Sequence, residues 1–196
     1  MLLQAVASSA SRERFIYLWG QPGAGKTHLL RAVAAATDSH VVSLNPAATI
    51  PAISHIRGDE TVVVDDVDRL RTAVQPALFH AYNRLRGASG RLIASGAVAP
   101  GQLILLPDLK SRLSWGLAFQ VHTLGDEEKF VLLAQHAAAR GFSLSPDVIR
   151  YISSHYPRDV PSLMGLLQAL DRYSLETKRA ITVPLLKEVI DNPVEP

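Results

Sequence analysis

The chain has 196 residues, enough for one domain with its own core or for one domain with a small appendage. Its content of 47% hydrophobic and 19% charged residues argues against disorder, and a formal net charge of +2 is too small to indicate nucleic-acid binding by itself. The absence of cysteine excludes disulfides and thiolate chemistry, and no apolar run approaches the roughly 18–20 residues of a membrane span. We therefore predict a soluble, cytoplasmic protein.

The first two thirds of the chain alternate short apolar runs with helical patterns. Residues 1–15 lack the basic segment of a signal peptide and are interpreted as a helix. The predicted strands are Phe15–Trp19, His40–Leu44, Thr61–Asp66, Arg91–Ser95 and Leu117–His122, and the predicted helices between them are Thr27–Ala36 and Pro76–Arg86. This alternation predicts an α/β fold with a five-stranded parallel sheet covered by helices on both faces.

After His122 the pattern becomes purely helical. One helix begins at Asp126, with acidic residues in its first turn, and Gly141 stops it. Further helices are predicted to begin after the capping residues Ser145, Asp159 and Thr182. We therefore predict an α/β nucleotide-binding part over residues 1–124 and a small all-helical lid over residues 125–196.

The segment "GQPGAGKT" matches the phosphate-binding pattern G-x-x-x-x-G-K-[ST], and it lies between a predicted strand and a predicted helix. Backbone N–H groups of such a loop face phosphate oxygens, Lys26 would reach the β- and γ-phosphates, and Thr27 would ligate Mg²⁺. The predicted contacts to ADP or ATP are Gly20, Gln21, Pro22, Gly23, Ala24, Gly25, Lys26, Thr27, His28 and Ser95.

Two aspartates follow the third predicted strand, at the sheet edge where ligands bind in parallel sheets. Asp65 is predicted to hold Mg²⁺ together with Thr27. Asp66 is a candidate catalytic residue that would orient the attacking water. The alternative for both is a solvated pair of carboxylates in a turn.

Together with these motifs, "LFHAYNRLR", "LPDLKSRLSWG" and the helical C-terminal part resemble the AAA+ module of DnaA-type replication initiators. The resemblance extends from Leu2 to Ile190 and is strongest to the Hda-like members, shortened homologues that inactivate the initiator. It implies an AAA+ P-loop NTPase fold and a DnaA-type initiator as the partner. The DNA polymerase sliding clamp and a homodimer remain open as further partners.

The resemblance also implies that Arg112 is an arginine finger, which reaches the γ-phosphate of a nucleotide held by a neighbouring subunit. A guanidinium supplied in trans neutralises the charge that phosphoryl transfer spreads over the γ-oxygens. Lys110 is a weaker candidate because it lacks the planar fork of arginine. The alternative for Arg112 is an internal ion pair, for instance with Asp108, and Trp115 is interpreted as a packing residue.

Several positions depart from the family pattern. Pro161 stands where the family carries a nucleotide-sensing arginine, and Arg158 has a different spacing. Gly96 stands where initiators carry an aspartate, which leaves Ser95 as the polar side chain that could sense the γ-phosphate. We therefore expect weak intrinsic ATPase activity. No clamp-binding peptide is seen before Phe15, and no helix-turn-helix DNA-binding domain is predicted.

The predicted function is that of an Hda-like AAA+ regulator of chromosome replication initiation, which stimulates hydrolysis of the ATP bound to the initiator. One alternative is a nucleotide-dependent loader or scaffold without catalysis. A P-loop small-molecule kinase is disfavoured because the helical part contains few arginines suited to a lid over phosphates.

Overall fold

The computed structural model describes residues 14–37 and 41–191. Residues 1–13 of the predicted N-terminal helix and His40, the first residue of the second predicted strand, lie outside these ranges, and Phe15 belongs to a strand. The chain divides into two compact units between Thr123 and Leu124.

The first unit is built on a five-stranded sheet in which every recorded pairing is parallel, so the fold prediction is confirmed. The strands are β1 (Phe15–Trp19), β2 (Val41–Leu44), β3 (Thr61–Val64), β4 (Arg91–Gly96) and β5 (Leu117–Gln120), and their order in the sheet is β2-β3-β4-β1-β5. The third strand ends at Val64, two residues earlier than predicted. The chain turns there, and Asp66 adopts a left-handed conformation with φ of 47°.

Four α-helices lie in the described part of this unit: α1 (Lys26–Ala36), α2 (Ile50–Ser54), α3 (Gln75–Gly87) and α4 (Pro107–Trp115). The sequence predicted α1 and α3, but it did not predict α2 or α4. Both missed helices are short and carry proline in the first turn, where no intrahelical N–H bond is lost. The missed helix α4 matters most, because it carries Arg112.

The two faces of the sheet bury different side chains. Alternation along a strand sends Tyr17 to one face and Leu18 to the other. The face with Tyr17 packs against α3 and α4 through Leu78, Leu85 and other buried residues, and the opposite face packs against α1. The sheet is therefore covered on both sides, and its strand ends are held in fixed positions.

The second unit contains α5 (Asp126–Ala139), α6 (Pro146–His155), α7 (Val160–Thr177) and α8 (Val183–Asp191). The Ser145 hydroxyl accepts from the Val148 N–H, and the Asp159 carboxylate accepts from the Ser162 N–H, so two of the three predicted caps are confirmed. The unit has a separate apolar core, to which all four helices contribute. None of the helices in the described ranges combines the length and the apolar character that a bilayer crossing requires.

Candidate functional site

The predicted phosphate loop connects β1 to α1. Gly23 and Gly25 have φ angles of 80° and 91°, a left-handed backbone conformation that residues other than glycine rarely adopt. The N–H of Ala24 donates to the Gln21 carbonyl at 3.2 Å and closes the turn. Gln21, Pro22 and His28 are exposed, so the loop presents its surface to solvent at the start of a helix. This is the setting in which backbone N–H groups and the helix dipole attract an anion.

Lys26 is buried at the end of this loop, with 7% of its surface exposed. Its Nζ donates to the carbonyls of Gly20 at 2.7 Å and Gln21 at 3.0 Å. The ammonium group is therefore held under the loop by the loop's own backbone. A cation in this position compensates the charge of phosphates bound above it.

A chain of hydrogen bonds joins the ends of three neighbouring structural elements. Thr27 Oγ1, at the start of α1, donates to Asp65 Oδ2 at 2.7 Å, and Ser95 Oγ in β4 donates to Asp65 Oδ1 at 2.6 Å. The N–H of Asp66 in turn donates to Ser95 Oγ at 2.9 Å. Both carboxylate oxygens of Asp65 are therefore fixed, beside the phosphate loop.

Ser95, one of the predicted nucleotide contacts, is hydrogen-bonded within the chain. Ser95 is fully buried, and its hydroxyl is used between Asp65 and the backbone of Asp66. The side chain of Asp66 makes an ion pair of 3.6 Å with Arg69, whose side chain is largely exposed. The structure thus brings together Thr27, Asp65 and Ser95 and places Asp66 at their edge.

The end of β4 contains a close approach that the sequence did not indicate. A methyl group at Gly96 would lie 2.1 Å from the Tyr17 hydroxyl and 3.0 Å from Asp68 Oδ1. The Tyr17 hydroxyl donates to the Val98 carbonyl at 2.8 Å. Burial, followed by the carboxylates of Asp68 and then Asp66, raises the pKa of Tyr17 above its usual range. Tyr17 therefore remains a neutral hydrogen-bond donor that occupies the space beside Gly96.

A groove of about 270 Å³ opens beside this network, between α1 and the ends of β2 and β3. Its walls include Thr27 and Asp65, together with the buried side chains of Leu30 and Leu44. The site is thus open on the side of the predicted metal ligands. Within the described ranges, no three His, Asp or Glu side chains gather closely enough to hold a metal by themselves.

Arg112 lies in the last turn of α4. Its guanidinium carbon lies 4.4 Å from the centroid of the Trp115 ring and 5.8 Å from that of Phe79. No ion pair of Arg112 occurs with a carboxylate of the described residues, so the alternative pairing with Asp108 is absent. Trp115 is 59% exposed, and its interpretation as a packing residue is wrong.

The helical unit places the remaining predicted positions. Pro161 lies in the first turn of α7, directly after the cap formed by Asp159. Arg158 Nη1 donates to Asp126 Oδ2 at 2.7 Å, and its Nε donates to the Ser153 carbonyl at 2.9 Å. The guanidinium of Arg158 is therefore engaged within its own unit.

Two family models match the chain, and it is also similar to a relative from Haemophilus influenzae. Residues 16–94 match the AAA family, ATPases associated with various cellular activities, and residues 126–190 match the Hda lid domain. An uncharacterized protein from Haemophilus influenzae is 32% identical over 208 residues, covering 97% of this chain and 88% of the relative. The chain belongs to the Hda-like DnaA family. Membership of the AAA family implies that this Hda-like protein binds nucleotide.

Solved structures share the fold of this Hda-like protein. Domain III of DnaA from Thermotoga maritima matches with a TM-score of 0.75 at 21% identity, over 100% of this chain and 90% of that one. AMPPCP-bound DnaA from Aquifex aeolicus matches with a TM-score of 0.69 at 20% identity, over 89% of this chain and 61% of that one. A RuvB variant from Thermotoga maritima matches with a TM-score of 0.71 at 16% identity, over 96% of this chain and 65% of that one.

Three residues near the predicted sites of this Hda-like protein were missed by the sequence reasoning: Tyr17, Asp68 and Arg86. Tyr17 lies in a strand that reads as uniformly apolar, and Asp68 follows a pair of aspartates that already fitted the motif. Arg86 comes close to Trp115 only because α3 packs on α4. No local pattern in the sequence marks any of the three.

Proposed function

We propose that this Hda-like protein stimulates hydrolysis of ATP bound to a DnaA-type initiator, with Arg112 as the arginine finger that acts in trans. The proposal depends on one observation. The Arg112 guanidinium rests on the face of an exposed tryptophan, with no carboxylate partner in the described chain. A guanidinium in that state keeps its N–H edges available for an anion on another molecule.

The chain's own nucleotide would be ADP or ATP, held by the loop from Gly20 to His28. The hydroxyl of Thr27 and the carboxylate of Asp65 fit Mg²⁺, because they are oxygen donors fixed 2.7 Å apart beside the loop. Mg²⁺ held by Thr27 and Asp65 would supply positive charge beside the phosphates. Ser95 would hold the Asp65 carboxylate in place as a positioning residue.

We infer that hydrolysis in the chain's own site is slow. Gly96 supplies no side chain at the end of β4, and the Tyr17 hydroxyl fills the space where one would begin. Pro161 has no donor for a phosphate, and Arg158 is paired with Asp126. Asp66 remains as the group that would orient water, and its carboxylate is only loosely paired with Arg69.

The decisive experiment follows the initiator's nucleotide. A DnaA-type initiator is loaded with labelled ATP, and single-turnover hydrolysis is measured after adding wild type, Arg112→Ala or the matched control Lys110→Ala from the same helix. We expect Arg112→Ala to reduce the stimulated rate by about 10³-fold or more, and Lys110→Ala to preserve it. The assay is run with and without DNA-loaded sliding clamp.

Nucleotide binding by Arg112→Ala is measured separately and should equal that of wild type, because the residue lies outside the phosphate loop. If Arg112→Ala stimulates hydrolysis as well as wild type does, the finger assignment is wrong. Complex formation without any stimulation by wild type would favour the loader or scaffold function instead.

A further inference from the structure

Two arginines from different helices approach the same exposed tryptophan. The Arg112 guanidinium carbon lies 4.4 Å from the Trp115 ring centroid, and that of Arg86 lies 4.9 Å from it. Arg86 belongs to α3, whereas Arg112 and Trp115 belong to α4. The ring centroid of Phe79, which lies about two helical turns before Arg86 on α3, is 5.8 Å from the Arg112 guanidinium carbon. We call these four residues the guanidinium–indole cluster.

The cluster carries uncompensated positive charge. Neither of its arginines makes an ion pair or a side-chain hydrogen bond with the described residues. Two arginines of the helical unit differ in this respect, since Arg158 and Arg179 each have a carboxylate oxygen at 2.7 Å. This positive charge affects the neighbouring Tyr82. Burial raises the pKa of Tyr82, whereas the charges of Arg86 and then Arg112 lower it.

An arginine pair on one ring is suited to binding an oxyanion. Cation–π stacking contributes only about 0.5–1 kcal/mol at an exposed site, but it fixes the plane of the guanidinium and leaves its N–H edges free. Two like charges held close together repel each other, and a bound anion relieves that repulsion. The exposed indole of Trp115 is therefore a platform that presents both cations in the same region of the surface.

We infer that Arg86 is a second cationic contact to the partner's nucleotide site, and that Trp115 positions both arginines for it. The inference depends on the proposed function, since it assigns a two-arginine surface where that function requires one finger. The ligand is an oxyanion of that site, either a phosphate oxygen of the bound ATP or a carboxylate beside it.

The test compares Arg86→Gln with Arg150→Gln, an exposed arginine of α6 that serves as the matched control. ATP-loaded initiator is titrated with each variant, and the maximal single-turnover rate and the half-saturating concentration are both determined. Loss of a phosphate contact would lower the maximal rate, whereas loss of a carboxylate contact would raise the half-saturating concentration. We expect Arg86→Gln to change one of these quantities about ten- to a hundredfold, which is the loss of one charged hydrogen bond.

Trp115→Ala should produce a loss of comparable size, and Trp115→Phe should restore most of the activity because it keeps an aromatic face. Circular dichroism verifies that both variants are folded, as expected for a residue with 59% exposure. Rescue by phenylalanine distinguishes positioning of the arginines from a merely structural role. Wild-type behaviour of Trp115→Ala would overturn the platform assignment.

The Arg112→Ala variant distinguishes failure of the inference about Arg86 from failure of the proposed function. If it slows hydrolysis while Arg86→Gln behaves like Arg150→Gln in both quantities, the inference fails and the proposed function stands. If Arg112→Ala leaves hydrolysis unchanged, the proposed function fails and the inference fails with it.

Discussion

Tyr17 in β1 and Gly96 at the end of β4 are packed so closely that position 96 has no room for a side chain. Gly96 is paired with Trp19 in the sheet, and the space beside it is occupied by the hydroxyl of Tyr17. Asp68 Oδ1 also lies close to Gly96, and it is buried with no hydrogen-bond partner among the described residues. Any side chain at position 96 must displace the Tyr17 hydroxyl and would also press on Asp68 Oδ1.

Gly96→Ala is therefore expected to destabilise the protein by about 1–3 kcal/mol, the usual cost of overpacking a filled core. Tyr17→Phe removes the hydroxyl oxygen that the new methyl would meet, so the double variant should cost less than the sum of the single variants. Urea unfolding of the four proteins gives the coupling free energy.

Gly101→Ala is the control, because a methyl group there meets nothing within 4 Å. The packing explanation would be wrong if Gly96→Ala and Gly101→Ala were equally stable.

Among the helices, those of the second unit are linked by charges at their ends. Asp126, in the first turn of α5, accepts from Arg158 and Lys129, and these hydrogen bonds hold the pKa of its carboxyl below the ordinary value of 3.8. Arg179, which follows α7, donates a hydrogen bond to Glu188 in α8, and this bond lowers the pKa of Glu188. The contact joins the segment after α7 to the last helix. These contacts are exposed, so salt and pH modulate them readily.

We predict that acid weakens the helical unit partly through Asp126. A carboxyl whose folded pKa is lowered stabilises the fold above its ordinary pKa, and that contribution disappears as the pH falls through the folded value. Arg158→Gln should therefore be less stable than wild type near pH 7, and the difference should shrink towards about pH 3.

Urea unfolding followed by far-ultraviolet circular dichroism at both pH values measures this difference. Arg158→Lys is the matched control, because it keeps the positive charge beside Asp126 and should retain most of the pH dependence. A difference between wild type and Arg158→Gln that is the same at both pH values would contradict the assignment.

Across the whole molecule, the two units have separate cores, and the phosphate loop belongs entirely to the first. A ligand that binds only the folded loop stabilises that unit by mass action. Stability is thus a direct measure of nucleotide binding that requires no catalytic activity.

ADP at one hundred times its dissociation constant should stabilise wild type by about 2.7 kcal/mol. Lys26→Met keeps the aliphatic stem of this buried side chain but removes the ammonium group under the loop, so we expect ADP to produce no measurable rise in Tm. Thermal unfolding with and without ADP makes the comparison. Lys110→Met should respond to ADP as wild type does, and an equal response by Lys26→Met would exclude the loop as the binding site.

The parallel sheet and the phosphate loop could be predicted because their signals are local. An apolar run, a glycine pattern and a capping residue each act on neighbours in sequence, as the loop before α1 and the cap at Ser145 illustrate. The arrangement of side chains could not be predicted in the same way. Ser95 lies 30 residues from Asp65, and only the register of the sheet brings their side chains together.

The interpretation of Trp115 was wrong because burial, too, depends on how distant parts of the chain pack. Its place in a mostly apolar segment favoured burial, yet α4 ends at this residue and leaves the indole at the surface. Arg86 became visible as a neighbour only through the packing of α3 on α4.

The exposed indole also gives the protein a built-in optical reporter. The chain contains two tryptophans, of which Trp19 directly precedes the phosphate loop and Trp115 contacts Arg86 and Arg112. Replacing one tryptophan at a time with phenylalanine would leave a single fluorophore, either beside the phosphate loop or in the guanidinium–indole cluster. Ligand occupancy and complex formation could then be followed as separate emission changes in unlabelled protein.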